Sequence, residues 1–493
     1  MKSLRLSYLP PLMVYAAFGV SGLTGIVGTF FVKDYLDLSA EFLAALAFWA
    51  GIPWAMKMPV GHLVDLLWKR KALLVWIGAA MIAASLLIMV GLLAHLEAMQ
   101  AWMSASQWFV ASALLAPTGY MLQDAVADAM TVEAVPRVDA EGKPYDEATR
   151  KSMHTTMQTL GRVALIGGLT LVAAANIWIF HGAEGLPGAE KARLYADVYA
   201  AALVIPVISV SGVVLHRFLR QAVERGEATK PNWAVLGGSA AFVALSLVVG
   251  LGGLPYAQEL IFAGSLGVIV FLLWRLAREL EPAAREVLAA TAFVLFMYRM
   301  SPLAGDGVTW WMIDALGFDE AFLARLALVS YALTLAGMFA FKGFMARNSI
   351  AVIVVALALA KALLALPNIG MFYGLHQWAA THTGGLVDAR VIALVNTALE
   401  SPLDQIAMIP MLAWIANSAP PNLKATYFAV MASYSNLALA ASQLGTKYLN
   451  QVFTIGRGGY DEVGALLLAV LVAGLVLPLA SVAAVRVFGL RTA

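Results

Sequence analysis

The fold of this chain is decided by a stretch that occurs twice, TFFVKDYLDLSAEFLAALA at residues 29–47 and TWWMIDALGFDEAFLARLA at residues 309–327. Thr29 matches Thr309 and Phe42 matches Phe322, so both matches share one offset (309 − 29 = 322 − 42 = 280). One such match between apolar stretches is weak support. Several matches in the same order indicate an internal repeat.

The repeat continues after the third apolar segment of each copy with an offset of 276, because the preceding loop is four residues shorter in the second copy. Lys71 then matches Arg347, and the acids of the fourth segment match as well. Asp124 falls on Glu400 and Asp128 on Asp404.

Composition places the chain in a membrane. It is 61% hydrophobic and 13% charged, whereas soluble domains carry about 25% charged residues. The apolar runs reach the roughly 20 residues that a spanning helix needs. The absence of cysteine excludes disulfides and thiolate chemistry. Fourteen spans are predicted, near residues 9–32, 40–65, 72–95, 104–133, 153–181, 196–216, 232–252, 257–276, 286–312, 321–342, 349–367, 387–416, 424–447 and 463–487.

Basic residues alternate between the loops in a way that predicts orientation. One set of loops and both termini hold most of the Lys and Arg residues, such as Lys69, Arg70 and Lys71. Because cytoplasmic loops are enriched in these residues, both termini are predicted to be cytoplasmic. We also expect a bacterial inner membrane as the location.

The repeat assigns the spans to an architecture. The second copy begins with the span at 286–312, so the spans within 232–276 are an insertion between two six-helix halves. The predicted divisions are 1–217, 218–285 and 286–493. Parallel repeats of this kind are the arrangement of major facilitator transporters. The predicted fold is therefore all-α, with fourteen transmembrane helices.

A short motif lies in the loop after the second span. Gly61 is followed by Asp65 and then by Lys69-Arg70-Lys71. It resembles the loop signature of major facilitator proteins, in which the glycine allows close helix approach. The alternative is an ordinary basic cytoplasmic loop.

The residues before and after this loop carry a narrower resemblance. Pro53-Trp54, Lys57 and Pro59 precede the motif, and the fourth span contains Gln123-Asp124, Asp128-Ala129 and Glu133. This pattern is similar to that of the folate–biopterin transporter family, although Met58 separates Lys57 from Pro59. The resemblance implies uptake of pteridines, folates or another organic anion.

The predicted function is secondary active transport of a small organic anion by alternating access, coupled to protons. Alternatives are a major facilitator transporter for an unrelated substrate and a non-transporting assembly or delivery factor of the same fold. An intramembrane enzyme is least supported, because no nucleophile–base pair is recognisable. Nothing resembles a P-loop. We expect a monomer in the lipid bilayer, without cofactor, metal or nucleic acid.

Ionisable residues inside the spans are the candidate site residues, since a charge at mid-bilayer costs about 2.5–3.5 kcal/mol on insertion scales. Asp124 and Asp128 are four residues apart and share a helix face. Arg162, at similar depth on the next span, is predicted to pair with one of them. This is either a structural ion pair between helices or part of a substrate site.

Arg299 is the main candidate for substrate contact, since its planar guanidinium suits a carboxylate or a pterin edge. The alternative is pairing with Glu400 or Asp404. Lys57 and Tyr298 are further candidates, and Lys361 is expected to be structural.

Coupling and gating are assigned to Asp124, Asp128, Glu400 and Asp404, together with the loop residues Gly61, Asp65 and Arg70. Asn436 stands at the position equivalent to Arg162 (162 + 274). Glu400 and Asp404 therefore lack that cation, and Glu400 is predicted to carry the proton. The alternative is permanent neutralisation by Arg299.

Two features receive structural interpretations. Trp310 and Trp311 are interpreted as an interfacial aromatic belt. Glycines recur at every third position of the first span and are interpreted as sites of close helix packing. They are Gly19, Gly22, Gly25 and Gly28.

Overall fold

The protein is represented by a computed structural model. It describes residues 5–36, 38–55, 57–136, 143–219, 233, 248–249, 254–278, 280–403, 406 and 424–492. Every extended regular element in this part of the chain is a helix, as the sequence predicts. The all-α membrane fold is thereby confirmed.

The first half contains ten α-helices. They are α1 (Leu9–Val20), α2 (Gly25–Tyr35), α3 (Ala40–Ala55), α4 (Lys57–Leu66), α5 (Ala72–Ala94), α6 (Leu96–Gln100), α7 (Ala105–Ala134), α8 (Glu147–Ile179), α9 (Gly188–Ala201) and α10 (Val204–Leu219). A 3-10 turn, Ser21–Thr24, joins α1 to α2.

The remainder of the described chain contains ten more. They are α11 (Ala257–Ala277), α12 (Pro282–Arg299), α13 (Asp306–Leu316), α14 (Glu320–Ala340), α15 (Lys342–Arg347), α16 (Ile350–Phe372), α17 (Leu375–His382), α18 (Ala389–Glu400), α19 (Lys424–Val452) and α20 (Val463–Val487). The 3-10 turn Ser401–Leu403 follows α18.

Eight helices within the described ranges are long and apolar enough to cross a membrane. A ninth results if Ala40–Ala55 and Pro59–Leu66, which meet at a bend of 41°, count as one span. The predicted span at 232–252 lies largely outside the described residues, as does the second part of the span at 387–416.

In two predicted spans of the second half, an α-helix ends beside a proline. The segment predicted as one span at 286–312 is divided into α12 and α13, with residues 300–305 between them. In the segment at 387–416, the α-helix ends at Glu400. Pro302 and Pro402 stand just beyond these two helix ends, where proline cannot supply a backbone N–H to the helix.

The described chain forms two compact units. The first comprises Met1–Phe31 and Pro59–Ala241, and the second comprises Val32–Met58 and Phe242–Ala493. Helix α3 therefore belongs to the same compact unit as the second half of the sequence. The predicted boundaries at 217 and 286 remain a prediction about repeat units.

Small residues hold the helices of the first unit together. A β-carbon at Gly78 of α5 would lie 2.5 Å from the Gly119 carbonyl oxygen of α7. One at Gly19 of α1 would lie 2.2 Å from the Leu165 carbonyl oxygen of α8. The backbones approach this closely because side chains are absent, which is how membrane helices gain packing contacts. The packing interpretation is right for Gly19 but not for Gly25, where a β-carbon would meet nothing within 4 Å.

The second unit is built around α3 and α19. The Asn436 side-chain amide donates to the Trp54 carbonyl oxygen at 3.0 Å, near the end of α3. The inserted helix α11 also joins this unit, because Gln258 donates to the Ala45 carbonyl oxygen at 2.8 Å and Lys447 pairs with Glu259 at 3.0 Å. These bonds satisfy polar groups that would be costly to leave unpaired in lipid.

Candidate functional site

The acids of α7 form the centre of the candidate site in the first unit. Asp124 and Asp128 are both half-buried, one helical turn apart. The Tyr15 hydroxyl of α1 donates to the Asp128 carboxylate at 2.5 Å. Tyr15 is itself buried. The structure thus supplies a buried hydrogen-bond donor to the acids of α7.

Helix α8 packs against the ring of Tyr15. A β-carbon at Gly161 would lie 3.0 Å from the Tyr15 ring, so α8 passes the ring closely at this glycine. The next residue is Arg162, which is half-buried. Asp124 and Arg162 both lie close enough to act electrostatically on the Tyr15 hydroxyl. The structure therefore brings Tyr15, Asp124, Asp128 and Arg162 together, and the ion pair of Arg162 with an acid stays a prediction.

A second polar cluster lies where α7 ends. Lys71 pairs with Glu133 at 2.5 Å, and His216 of α10 lies 2.9 Å from the same carboxylate oxygen. The Lys71 ammonium also lies 3.8 Å from the centre of the Trp68 ring, a cation–π contact. Sequence reasoning missed this cluster, because it treated Lys71 only as one of the basic residues of a cytoplasmic loop, whereas Lys71 is 5% exposed.

The loop motif is positioned beside this cluster by α4. Gly61 and Asp65 lie on α4 and are half-buried, whereas Arg70 is exposed. A β-carbon at Gly61 would meet nothing within 4 Å. The expectation that this glycine allows a close helix approach is therefore wrong for this conformation.

Arg299 is the last residue of α12 in the second unit. Its Nε donates to the Ser435 carbonyl oxygen of α19 at 3.3 Å. It faces a crevice of about 10 Å³, lined also by Phe296 and Tyr434, whose rings lie 4.9 Å apart. Such a volume holds about one water molecule. A heterocycle at Arg299 would therefore require α12 or α19 to move.

The other predicted residues of the second unit are dispersed. Glu400 is half-buried at the end of α18, and Asp404 lies outside the described residues. Tyr298 packs against an apolar cluster that contains Met345 and Leu357. Lys57 begins α4. The α-helix α18 ends at Glu400, and the predicted pairing of Glu400 with Asp404 on one helix face stays a prediction.

The tryptophans after the helix break are buried. Trp310 is 1% exposed and Trp311 is 4% exposed, so the interpretation as an interfacial belt is wrong. Trp311 packs with Phe372. Trp310 lies under Arg457, whose guanidinium is 4.7 Å from the ring centre.

The ends of α2 and α13 meet in an ionic cluster that sequence reasoning also missed. Lys33 lies 2.6 Å from Asp314 and 3.3 Å from Asp34. Tyr460, in the loop before α20, donates to Asp314. Burial, together with this hydrogen bond, raises the pKa of Tyr460. The available signal was the repeat, since Asp34 and Asp314 are equivalent positions.

The described membrane spans thus contain polar side chains in contact with one another and helices that are interrupted. In the described part of the chain, no three His, Asp or Glu residues are grouped to hold a metal ion.

A model of the BT1 family matches residues 235–487, which is half of the chain. The chain belongs to the BT1 family. It is a multi-pass membrane protein of a transporter family.

Similar proteins support this family assignment. A protein named folate-biopterin transporter from Synechocystis sp. is 23% identical over 432 residues, which cover 87% of this chain and 71% of the relative. A mutant of the peptide transporter POT superposes with a TM-score of 0.66 at 15% identity, over 98% of this chain and 94% of that one. A POT family transporter in complex with 5-aminolevulinic acid also has a TM-score of 0.66, at 12% identity, and covers 98% and 95%. These structures confirm the major facilitator fold.

Proposed function

We propose that this BT1 family member is a secondary transporter of folate- or biopterin-like organic anions, working by alternating access and coupled to protons. The observation that carries the proposal is the Tyr15–Asp128 hydrogen bond beside Asp124 and Arg162. Ionisable groups inside a membrane are expensive, and they are usually retained for substrate or ion transport. The Synechocystis relative's name supports the substrate class.

Two arginines are proposed to select an anion. Arg162 lies beside the acids of α7, and Arg299 lies at the end of a broken helix. A guanidinium presents paired donors to a carboxylate or to the edge of a pterin. Lys57 and Tyr298 are proposed as further contacts.

A direct test measures binding and uptake with purified protein in vesicles, against biopterin, folic acid, an amino acid and a sugar. Saturable uptake of a pterin or folate, competed by the other, is the expected result. Arg299→Lys keeps the charge but changes the donor geometry, and it should weaken anion binding with the fold intact. Uptake restricted to the amino acid or sugar would overturn the substrate class.

Glu400 is proposed as the proton-coupling residue, with Asp404, Asp124 and Asp128 as members of the coupling and gating set. A carboxylate near a like charge in a partly dry site holds a proton more readily. With Glu400→Gln, uptake driven by a pH gradient should lose its pH dependence while binding persists. Unchanged accumulation against the substrate gradient would remove Glu400 from this role.

Both termini are proposed to be cytoplasmic. Arg5 donates to the Tyr145 hydroxyl at 2.9 Å, which supports placing the N-terminal region and the loop around residue 145 on one side of the membrane. Since the chain has no cysteine, Tyr145→Cys can be labelled alone. An impermeant thiol reagent should fail to label it in intact cells.

A further inference from the structure

The first helix of each half is interrupted at the same place in the repeat. Residues 21–24 form the 3-10 turn between α1 and α2, and residues 300–305 separate α12 from α13. With the offset of 280, Ser21 corresponds to Ser301 and Gly25 to Gly305. A short 3-10 stretch within a helix often marks a hinge.

A buried asparagine contacts each interruption. The Asn176 side-chain amide of α8 donates to the Leu23 carbonyl oxygen at 3.3 Å. The Asn450 side-chain amide of α19 donates to the Ala304 carbonyl oxygen at 3.1 Å. These asparagines are equivalent in the repeat (176 + 274 = 450), by the offset that relates Arg162 to Asn436.

Each of the two asparagines also has one buried polar atom without a hydrogen bond. Asn176 is 1% exposed and Asn450 is 3% exposed, and the Oδ1 atom of each has no hydrogen-bond partner among the described residues. A buried acceptor left unpaired is energetically costly. Both side chains can therefore accept a donor from a rearranged backbone while they retain their present bond.

The two interruptions are in different states. The first is wound, and Gly25 has helical angles, with φ −61°. The second is unwound, and Gly305 has φ +80°, a value that favours glycine. Thr446 accepts from the Leu303 N–H at 2.9 Å and Ser442 donates to the Ser301 carbonyl oxygen at 2.7 Å.

Gly25 has no structural reason to be glycine in its wound state. A β-carbon there would meet nothing within 4 Å, and glycine inside a helix is less stable than alanine. Its equivalent, Gly305, needs a positive φ. A glycine at position 25 is therefore explained if that turn also adopts the unwound state.

We propose that Asn176 and Asn450 are positioning residues for transport, each holding the hinge in the first helix of its half. The two hinges exchange between the wound and unwound states as the transporter changes conformation. The exchange rests on the proposed alternating-access function, whereas the role of each asparagine at its hinge does not.

Hydrogen exchange of the full-length protein in lipid nanodiscs tests the role of the asparagines without any substrate. Asn450→Asp keeps the shape and Oδ1 but removes the donor, and Asn450→Leu removes both. We expect amides within 301–306 to exchange about tenfold faster in both variants, as for loss of one hydrogen bond. Asn176→Asp should act in the same way on residues 21–25.

Asn396→Leu is the matched control. Asn396 is 4% exposed and its Oδ1 is also unpartnered, but it lies within α18. It should leave exchange at both hinges unchanged. Equal acceleration in the control, or none in the Asn450 variants, would overturn the role of the asparagines.

Glycine variants test the exchange of states. Gly25→Ala should fold normally yet lower the maximal uptake rate about tenfold with KM little changed, because a residue with a β-carbon rarely adopts the positive φ of the unwound state. Gly167→Ala is the control, since a β-carbon there also meets nothing within 4 Å. Normal uptake by Gly25→Ala would overturn the exchange. Absence of uptake by the unaltered chain would instead count against the proposed function.

Discussion

The two halves of the repeat place their cations on different helices. In the first half, α1 contributes Tyr15 and Gly19, and Arg162 lies on α8. In the second half, the position equivalent to Gly19 is Arg299 (19 + 280), and Asn436 replaces Arg162. The arginine therefore lies on the fifth helix in the first half and on the first helix in the second half.

The packing explains why this difference is possible. At Gly19, α1 and α8 touch through their backbones, and no side chain fits between them. At Arg299, the side chain extends to the Ser435 carbonyl oxygen of α19 at 3.3 Å. Close backbone contact at Gly19 leaves no room there for a side chain on the first helix, whereas the equivalent position in the second half carries the Arg299 side chain.

The largest expected effect comes from Gly19→Ala. The new β-carbon would lie 2.2 Å from a backbone oxygen that cannot rotate away, so we expect a loss of about 3 kcal/mol or more in stability. Arg299→Ala, at the equivalent position, should leave the fold intact. Thermal unfolding of both variants in detergent measures the contrast. Similar melting temperatures would contradict the difference in spacing.

An intermediate effect is expected from Tyr15→Phe. This change removes the hydrogen bond to Asp128, and bonds to charged groups contribute about 1.5–3 kcal/mol. Tyr434→Phe is the control in the second half, because its hydroxyl donates to a neutral carbonyl at 3.3 Å. It should cost about 1 kcal/mol. The free energies of unfolding are measured by chemical denaturation. A larger loss for Tyr434→Phe than for Tyr15→Phe would show that the bond to Asp128 is not the stronger of the two.

The smallest effect is expected at the equivalent acids Asp34 and Asp314. Asp314 lies closer to Lys33 and also accepts from Tyr460, so Asp314→Asn should cost up to about 1 kcal/mol. Asp34→Asn should cost a few tenths. The comparison is made at low and high salt, because partly exposed pairs are screened. Equal losses would show that Lys33 does not distinguish them.

Much of the site could be predicted because depth and helix face follow from sequence position. Asp124, Asp128 and Arg162 were expected to lie together, and the structure brings them around Tyr15. The sequence did not predict that Lys71 would be buried against Glu133 and His216. These residues are 62 and 145 positions from Lys71, so local periodicity carries no information about the contacts.

The helix break at residues 300–305 was missed for a related reason. Apolar composition is continuous across residues 286–312, so the segment was predicted as one span. The break at 300–305 is stabilised by Thr446 and Asn450, which lie more than 140 residues away. The aromatic-belt interpretation of Trp310 failed likewise, because a tryptophan near a helix end is compatible with either a lipid interface or a core.

By itself, the sequence determined the all-α membrane class. It also predicted an internal repeat and placed the ionisable residues within apolar segments. These properties depend on apolar run length, charge placement and residue spacing, which are all local. Only the tertiary structure decided which partner each polar group takes, since a hydrogen bond joins helices distant in the chain. It also decided that one repeat is wound at Gly25 and the other unwound at Gly305, because the bonds that stabilise each state come from a different helix.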